Sequence, residues 1–125
     1  MTGGRRILIV DDDAFIRRPL EFILREEGYE PVSAADADEG MRSIERQAPD
    51  LIVLDVMMPG KDGLTLCSEL KGDPRYAAIP ILLLSARGQE NDRQKGLALG
   101  AAEFLTKPYS PHEFKRCVRE LLGQG

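Results

Sequence analysis

Asp11 and Asp12 end the apolar run Ile7-Leu8-Ile9-Val10, and Asp55 ends a second run, Leu51-Ile52-Val53-Leu54. Each run has the length and aliphatic content of a strand buried on both faces. Laid parallel and adjacent, two such strands bring the three carboxylates to one edge of a sheet. Carboxylates so placed repel one another, and a cation makes the arrangement tolerable. A ligand set made only of oxygen selects a hard ion, Mg²⁺ first. Aspartates also end strands simply to cap the next helix. That is the reading for Asp13, but not for Asp55, which is followed by Val56-Met57-Met58-Pro59 instead of a helix start.

The rest of the chain supplies elements that position these groups. After a frayed lead-in, Met1 to Gly4, strand 1 is expected over Ile7 to Val10. Helix 1 follows Asp13 to about Glu27, with Ile16, Leu20, Ile23 and Leu24 as its apolar stripe and Gly28 as its stop. Pro19 falls inside it and removes a backbone donor, so a kink or a tightened first turn is expected. Phe15 and Phe22 read as core or near-core fillers. Strand 2 spans about Glu30 to Ala34. Asp36 and Glu39 form a capping pattern for helix 2, which ends before Pro49. Strand 3 is Leu51 to Leu54, helix 3 about Leu64 to Lys71, strand 4 Ile81 to Leu84, and helix 4 about Glu90 to Leu99. Strand 5, about Glu103 to Leu105, leads into Thr106-Lys107-Pro108. Ser110, Pro111 and Glu113 then open helix 5, which runs to Leu122.

Strands alternating with helices imply a parallel sheet covered on both faces, in one domain over residues 1–125. Polar residues stand at the carboxyl ends of four strands: Asp11 and Asp12, Asp55, Ser85 and Lys107. Open α/β sheets bind their ligands along that edge, so topology and chemistry choose the same place.

Composition narrows the function. The 125 residues are 42% hydrophobic and 30% charged, as in a globular domain, and the formal charge of −4 argues against direct nucleic-acid binding. No stretch is long enough to span a bilayer and no secretory signal pattern is present, which gives a cytoplasmic reading with no membrane partner. Cys67 and Cys117 lack metal-site spacing and read as packing residues in a reducing compartment.

Val10-Asp11-Asp12, Asp55-Val56-Met57-Met58-Pro59, Gly63, Leu84-Ser85-Ala86 and Lys107-Pro108 together make the chain resemble, over its whole length, the receiver domain of bacterial two-component response regulators. The resemblance implies a flavodoxin-like, doubly wound five-stranded parallel sheet in the order 2-1-3-4-5 with five helices, an order for which a member of this family is itself a standard example. It implies that Asp55 is the phosphoacceptor, with a sensor histidine kinase, a phosphotransfer protein or a small phosphodonor as the source. Mg²⁺ would be held by Asp12 directly, by Asp11 mainly through water, by Asp55, and by the backbone carbonyl of Met57. Ser85 and Lys107 would contact the phosphoryl group, and Ser85 and Phe104 would form the switch. The surface of helix 4, strand 5 and helix 5 would engage a downstream protein or a second copy. The only catalysis implied is the domain's own phosphorylation and dephosphorylation. In the family's winding, Cys67 and Cys117 fall on opposite sheet faces and cannot pair. Pro19 departs from the pattern, away from the site. No effector domain follows helix 5, so a stand-alone or an excised receiver is expected.

Plainer readings stand beside these. Lys107 before a proline is also what a surface lysine looks like, and Ser85 out of context would cap helix 4. His112 reads as a solvated helix-start histidine and Met57-Met58 as loop packing. A haloacid-dehalogenase-type phosphatase would share the metal and the phosphoenzyme but wants a second aspartate where Met57 stands. A flavodoxin-like electron carrier would need a hydroxyl- and glycine-rich loop in place of Asp11-Asp12-Asp13-Ala14-Phe15.

Overall fold

The structure is a computed structural model that describes residues 4–86 and 90–123. Apart from Gly4, the expected lead-in therefore lies outside the described residues. Strands and helices alternate along the chain: β1 (Arg6–Val10), α1 (Ala14–Glu26), β2 (Glu30–Ala34), α2 (Ala37–Arg46), β3 (Leu51–Asp55), α3 (Gly63–Lys71), β4 (Ile81–Ser85), α4 (Glu90–Ala98), β5 (Glu103–Thr106) and α5 (Pro111–Leu121). The strands form one sheet in the order β2-β1-β3-β4-β5, and every pairing is parallel. Val10 lies opposite Leu54, which sets the ends of β1 and β3 level.

Side chains alternate across the three central strands, and both alternating sets are aliphatic. Ile7, Ile9, Leu51, Val53, Leu82 and Leu84 meet Leu20 and Leu24 of α1 and Phe114 and Val118 of α5. Leu8, Val10, Ile52, Leu54, Ile81 and Leu83 meet Ile44 of α2 and Leu66 and Leu70 of α3. Burying one such side chain contributes about 1.5–3 kcal/mol, so the two layers, more than any surface ion pair, hold the sheet edge in place. Cys67 belongs to one layer and Cys117 to the other, both free and buried. The opposite-face expectation holds, with the sheet between the two thiols.

The caps follow the residue types. Asp13 Oδ1 accepts the N–H of Phe15, Asp36 Oδ1 that of Glu39, and Ser110 shares a full capping box with Glu113. At α2 the Glu39 carboxylate turns back to the N–H of Ala35 instead of Asp36. Pro19 does not end α1. It sits on the exposed side of a continuous helix, where water can replace the missing backbone bond.

The reading of Phe15 and Phe22 as core or near-core fillers is wrong. They are 82% and 64% exposed, because the stripe of Ile16, Leu20, Ile23 and Leu24 occupies the inward face of α1 and leaves positions 15 and 22 on the other. The Met57-Met58 reading is half right: Met58 packs into the core, while Met57 is exposed. Gly96 is the buried residue of α4, fitted against Leu83 and Leu64 where a larger residue would collide.

Gly63 shows how tightly the loop after β3 is drawn in. Its N–H donates to the Val56 carbonyl at 2.9 Å. A Cβ there would overlap the Asp55 carbonyl oxygen and lie 2.9 Å from the Val56 Cα, both backbone atoms that cannot rotate away. Gly63→Ala is therefore expected to cost about 1–3 kcal/mol, the usual penalty for overpacking. The measurement is the urea midpoint. An unchanged midpoint would show that the loop yields freely.

Candidate functional site

Four strand ends converge at the carboxyl edge of the sheet. Asp11 follows β1, and its N–H donates to the Ala34 carbonyl at the end of β2, 3.1 Å away. Its Oδ1 accepts the N–H of Asp13 at 2.9 Å. Its Oδ2 is buried and has no hydrogen-bond partner among the described residues. Asp55 is the last residue of β3, only 4% exposed, and its Oδ1 accepts from Lys107 Nζ at 3.0 Å. Lys107 follows β5, and its N–H donates to the Ser85 carbonyl at 2.7 Å, drawing it in beside β4. The same ammonium stands 3.9 Å from Asp11 Oδ2. The Lys107–Pro108 peptide is cis.

Ser85 does not cap α4. It closes β4, five positions before the described start of that helix at Glu90, and is fully buried. Its Oγ lacks a hydrogen-bond partner among the described residues. Phe104 lies opposite Leu83 across the β4–β5 pairing and is 4% exposed, its ring inside the core layer. Asp12 is exposed at the mouth, and Met57 is exposed on the loop after β3.

Ligand oxygens of Asp11, Asp12 and Asp55 all lie within 4.8 Å of one another. Burial raises the Asp11 carboxyl from its ordinary 3.8 to about 6; the Asp13 N–H opposes this, while the charge of Asp55 adds to it. Burial likewise raises Asp55, against the hydrogen bond and charge of Lys107. Three carboxylates facing one ammonium leave negative charge uncompensated, and Asp11 Oδ2 is a buried acceptor with no hydrogen-bond donor among the described residues. An all-oxygen set of this kind fits a hard divalent cation.

The structure thus gathers Asp11, Asp12, Asp55, Ser85 and Lys107 at one edge, while Phe104, opposite Leu83, lies two register positions below the Ser85–Thr106 pair in the core. Two contributors had escaped attention. Tyr109 is half-buried two residues beyond Lys107. Burial, followed by the charges of Asp11 and Asp55, pushes its phenol up to about 12. An aromatic directly after Lys-Pro was the available signal. Arg17 of α1 donates from Nη1 to the Asp11 carbonyl oxygen at 2.7 Å. Nothing in the spacing announces that bond.

Comparison with known proteins bears on the family and the fold. The family model described as "Response regulator receiver domain" matches residues 7–119. The phosphate regulon transcriptional regulatory protein PhoB of Escherichia coli (strain K12) is 41% identical over 119 residues, covering 95% of this chain and 52% of that protein. The alkaline phosphatase synthesis transcriptional regulatory protein PhoP of Bacillus subtilis (strain 168) is also 41% identical, over 95% of this chain and 49% of its own length. The chain therefore spans about half the length of the curated relatives it matches. Among solved structures, a putative response regulator from Chloroflexus aurantiacus superposes with a TM-score of 0.92 at 38% identity, covering 96% of this chain and 98% of that one. The chemotaxis protein CheY4 of Vibrio cholerae gives 0.89 at 30% identity, covering 96% of this chain and all of that one (100%). Among the described residues no helix is long and apolar enough to cross a membrane. With strand order and sequence in agreement, the chain belongs to the response regulator receiver domain family, the phosphoacceptor switches of two-component signalling.

Proposed function

We propose that Asp55 is the residue that takes the phosphoryl group. The observation that carries this is its position: a buried carboxylate ending the central strand, hydrogen-bonded to Lys107 and grouped with Asp11 and Asp12. One Asp55 oxygen forms a bond to phosphorus as the bond from phosphorus to the donor's leaving group breaks, giving a mixed anhydride. Phosphoryl transfer has a loose transition state, so an aligned carboxylate suffices as nucleophile. Lys107 Nζ, already 3.0 Å from Asp55 Oδ1, offers a charged donor to the phosphoryl oxygens. Asp11, Asp12, Asp55 and the Met57 carbonyl would hold Mg²⁺. That ion, when bound, supplies further positive charge to the phosphoryl oxygens.

The phosphodonor is a sensor histidine kinase, a phosphotransfer protein or a small acyl phosphate. The chain's own catalysis is confined to gaining and losing this group. Signalling would pass through Ser85. Its buried Oγ, unpartnered among the described residues, has a donor to give, and a phosphoryl oxygen on Asp55 supplies an acceptor. Movement of that hydroxyl changes the space available to Phe104. The phenyl ring carries no hydroxyl to anchor it, so its inward placement competes with an outward rotamer. The balance between the two reshapes the surface of α4, β5 and α5, on which a downstream protein or a second copy would dock.

The test is NMR shift mapping with and without beryllofluoride, a phosphoryl mimic, in wild type and Ser85→Ala. Shifts around Asp55 in both proteins, reaching α4 and α5 only in wild type, are expected. No shifts near Asp55 would refute the acceptor assignment. Equal spread in the two proteins would remove Ser85 from the coupling.

A further inference from the structure

Asp11 and Asp12 are held in place in different ways. The Asp11 side chain is fixed by burial and by the Asp13 N–H on Oδ1, and its own N–H is tied to β2. The Asp12 side chain is exposed and makes no hydrogen bond or ion pair among the described residues, yet an oxygen of it stands within 4.8 Å of oxygens on Asp11 and Asp55. The backbone that carries it sets where its Cβ stands, and so which positions its carboxylate can reach. The peptide joining Asp11 to Asp12 is the hinge: rotating it swings the Asp12 Cβ toward or away from the pocket.

Arg17 holds that peptide. It lies one helical turn beyond the cap residue Asp13, with its N–H on the Asp13 carbonyl, and from there its guanidinium donates to the Asp11 carbonyl oxygen at 2.7 Å. The bond is partly buried and charge-assisted, the stronger class of hydrogen bond. Among the described residues Arg17 makes no ion pair with a carboxylate. The charges that reach the Asp11 carboxyl are those of Asp55, Lys107 and Asp12. The arginine thus acts on the main chain and does not neutralise the acidic cluster.

We infer that Arg17 is a positioning residue for the cation ligands: by clamping the Asp11 carbonyl it fixes the Asp11–Asp12 peptide and holds the Asp12 carboxylate ready for a divalent ion. The inference rests on the proposed cation site and adds to it the device that pre-organises its exposed ligand. Donors behind a metal's ligands commonly act this way, by fixing ligand orientation.

The experiment measures Mn²⁺ affinity of the intact chain by the electron paramagnetic resonance signal of free Mn²⁺, with thermal unfolding alongside. The proteins are wild type, Asp12→Asn, Arg17→Met and Arg17→Lys. Arg17→Met keeps the aliphatic stem and removes the donor, so its Kd should rise roughly tenfold, the low end for loss of such a partner. Its unfolding midpoint in the absence of metal should stay close to wild type. Arg17→Lys restores a charged donor and should recover most of the affinity. An unchanged Kd in Arg17→Met, with wild type binding and Asp12→Asn weakened, overturns the inference alone. A weakened Kd that follows a large loss of stability and is not recovered by lysine also overturns it, in favour of a general structural role. Failure of wild type to bind Mn²⁺, or normal binding by Asp12→Asn, overturns the cation site and the inference with it.

Discussion

Asp55→Asn is expected to take up no phosphoryl group from acetyl phosphate in the presence of Mg²⁺, whereas wild type gains the mass of one. The substitution preserves shape, so the aliphatic layers around β3 and the Lys107 contact survive in outline. A carboxamide, however, does not form the mixed anhydride. Loss of a reacting group of this kind lowers rates by on the order of a thousandfold or more. Intact-protein mass spectrometry reads the result directly, and circular dichroism checks that the variant is folded. Asp11 and Asp12 are the nearest competing carboxylates, and the pocket gives them different work: one is fixed by hydrogen bonds beneath the surface, the other faces solvent. A phosphoryl-sized mass gain that persists in Asp55→Asn would place the acceptor on one of them.

Asp11→Asn is expected to make the metal-free protein more stable at neutral pH. The Asp11 carboxyl lies at about 6 in the folded chain against an ordinary 3.8. A raised folded value means the native state holds its proton more tightly than the unfolded chain does. The stabilisation from that proton is complete below about pH 4 and is lost as pH rises through about 6, leaving a buried anion that the unfolded chain keeps in water at no cost. A displacement of this size corresponds to roughly 3 kcal/mol at neutral pH. For a domain of this length that is on the order of 10 °C in Tm. Asparagine is uncharged and can still accept the Asp13 N–H. The gain should therefore appear at pH 7, vanish near pH 4, and shrink when millimolar Mg²⁺ stabilises wild type by binding. A gain that is independent of pH would mean that charge is not its source.

The order and type of the elements could be read from the chain because each rests on local signals that agree. Runs of aliphatic residues are bounded by Gly, Pro and Asp, and Ser110-Pro111-His112-Glu113 can hardly do anything but start a helix. The polar residues at strand ends then located the site edge, since parallel strands place all their carboxyl ends together. What failed was inference from size instead of angle. Phe15 and Phe22 read as core or near-core fillers only if size is weighed above position, because the inward face of α1 is filled by the stripe beginning at Ile16. Ser85 could not be separated from a helix cap without knowing that β4 runs one residue further than its aliphatic run. The Arg17 bond was out of reach for a different reason. A long flexible side chain has many backbone carbonyls within its radius, and only the turn after β1 decides which one it meets. Asp62, which accepts the N–H of Thr65 and caps α3, was hidden inside a loop that reads as pure turn.

Tyr109 gives the pocket an optical consequence. The chain has three tyrosines and no tryptophan, so tyrosine dominates its near-ultraviolet spectrum. Of the three, Tyr109 is the one whose phenol is raised by the charges of both Asp11 and Asp55. Its ring is held by stacking against Phe114, with centroids 6.1 Å apart. Any ligand or substitution that cancels charge at those carboxylates pulls that phenol back down from about 12, so the tyrosinate absorption band emerges at a lower pH. The receiver carries its own unlabelled gauge of pocket charge, readable in a cuvette by alkaline titration.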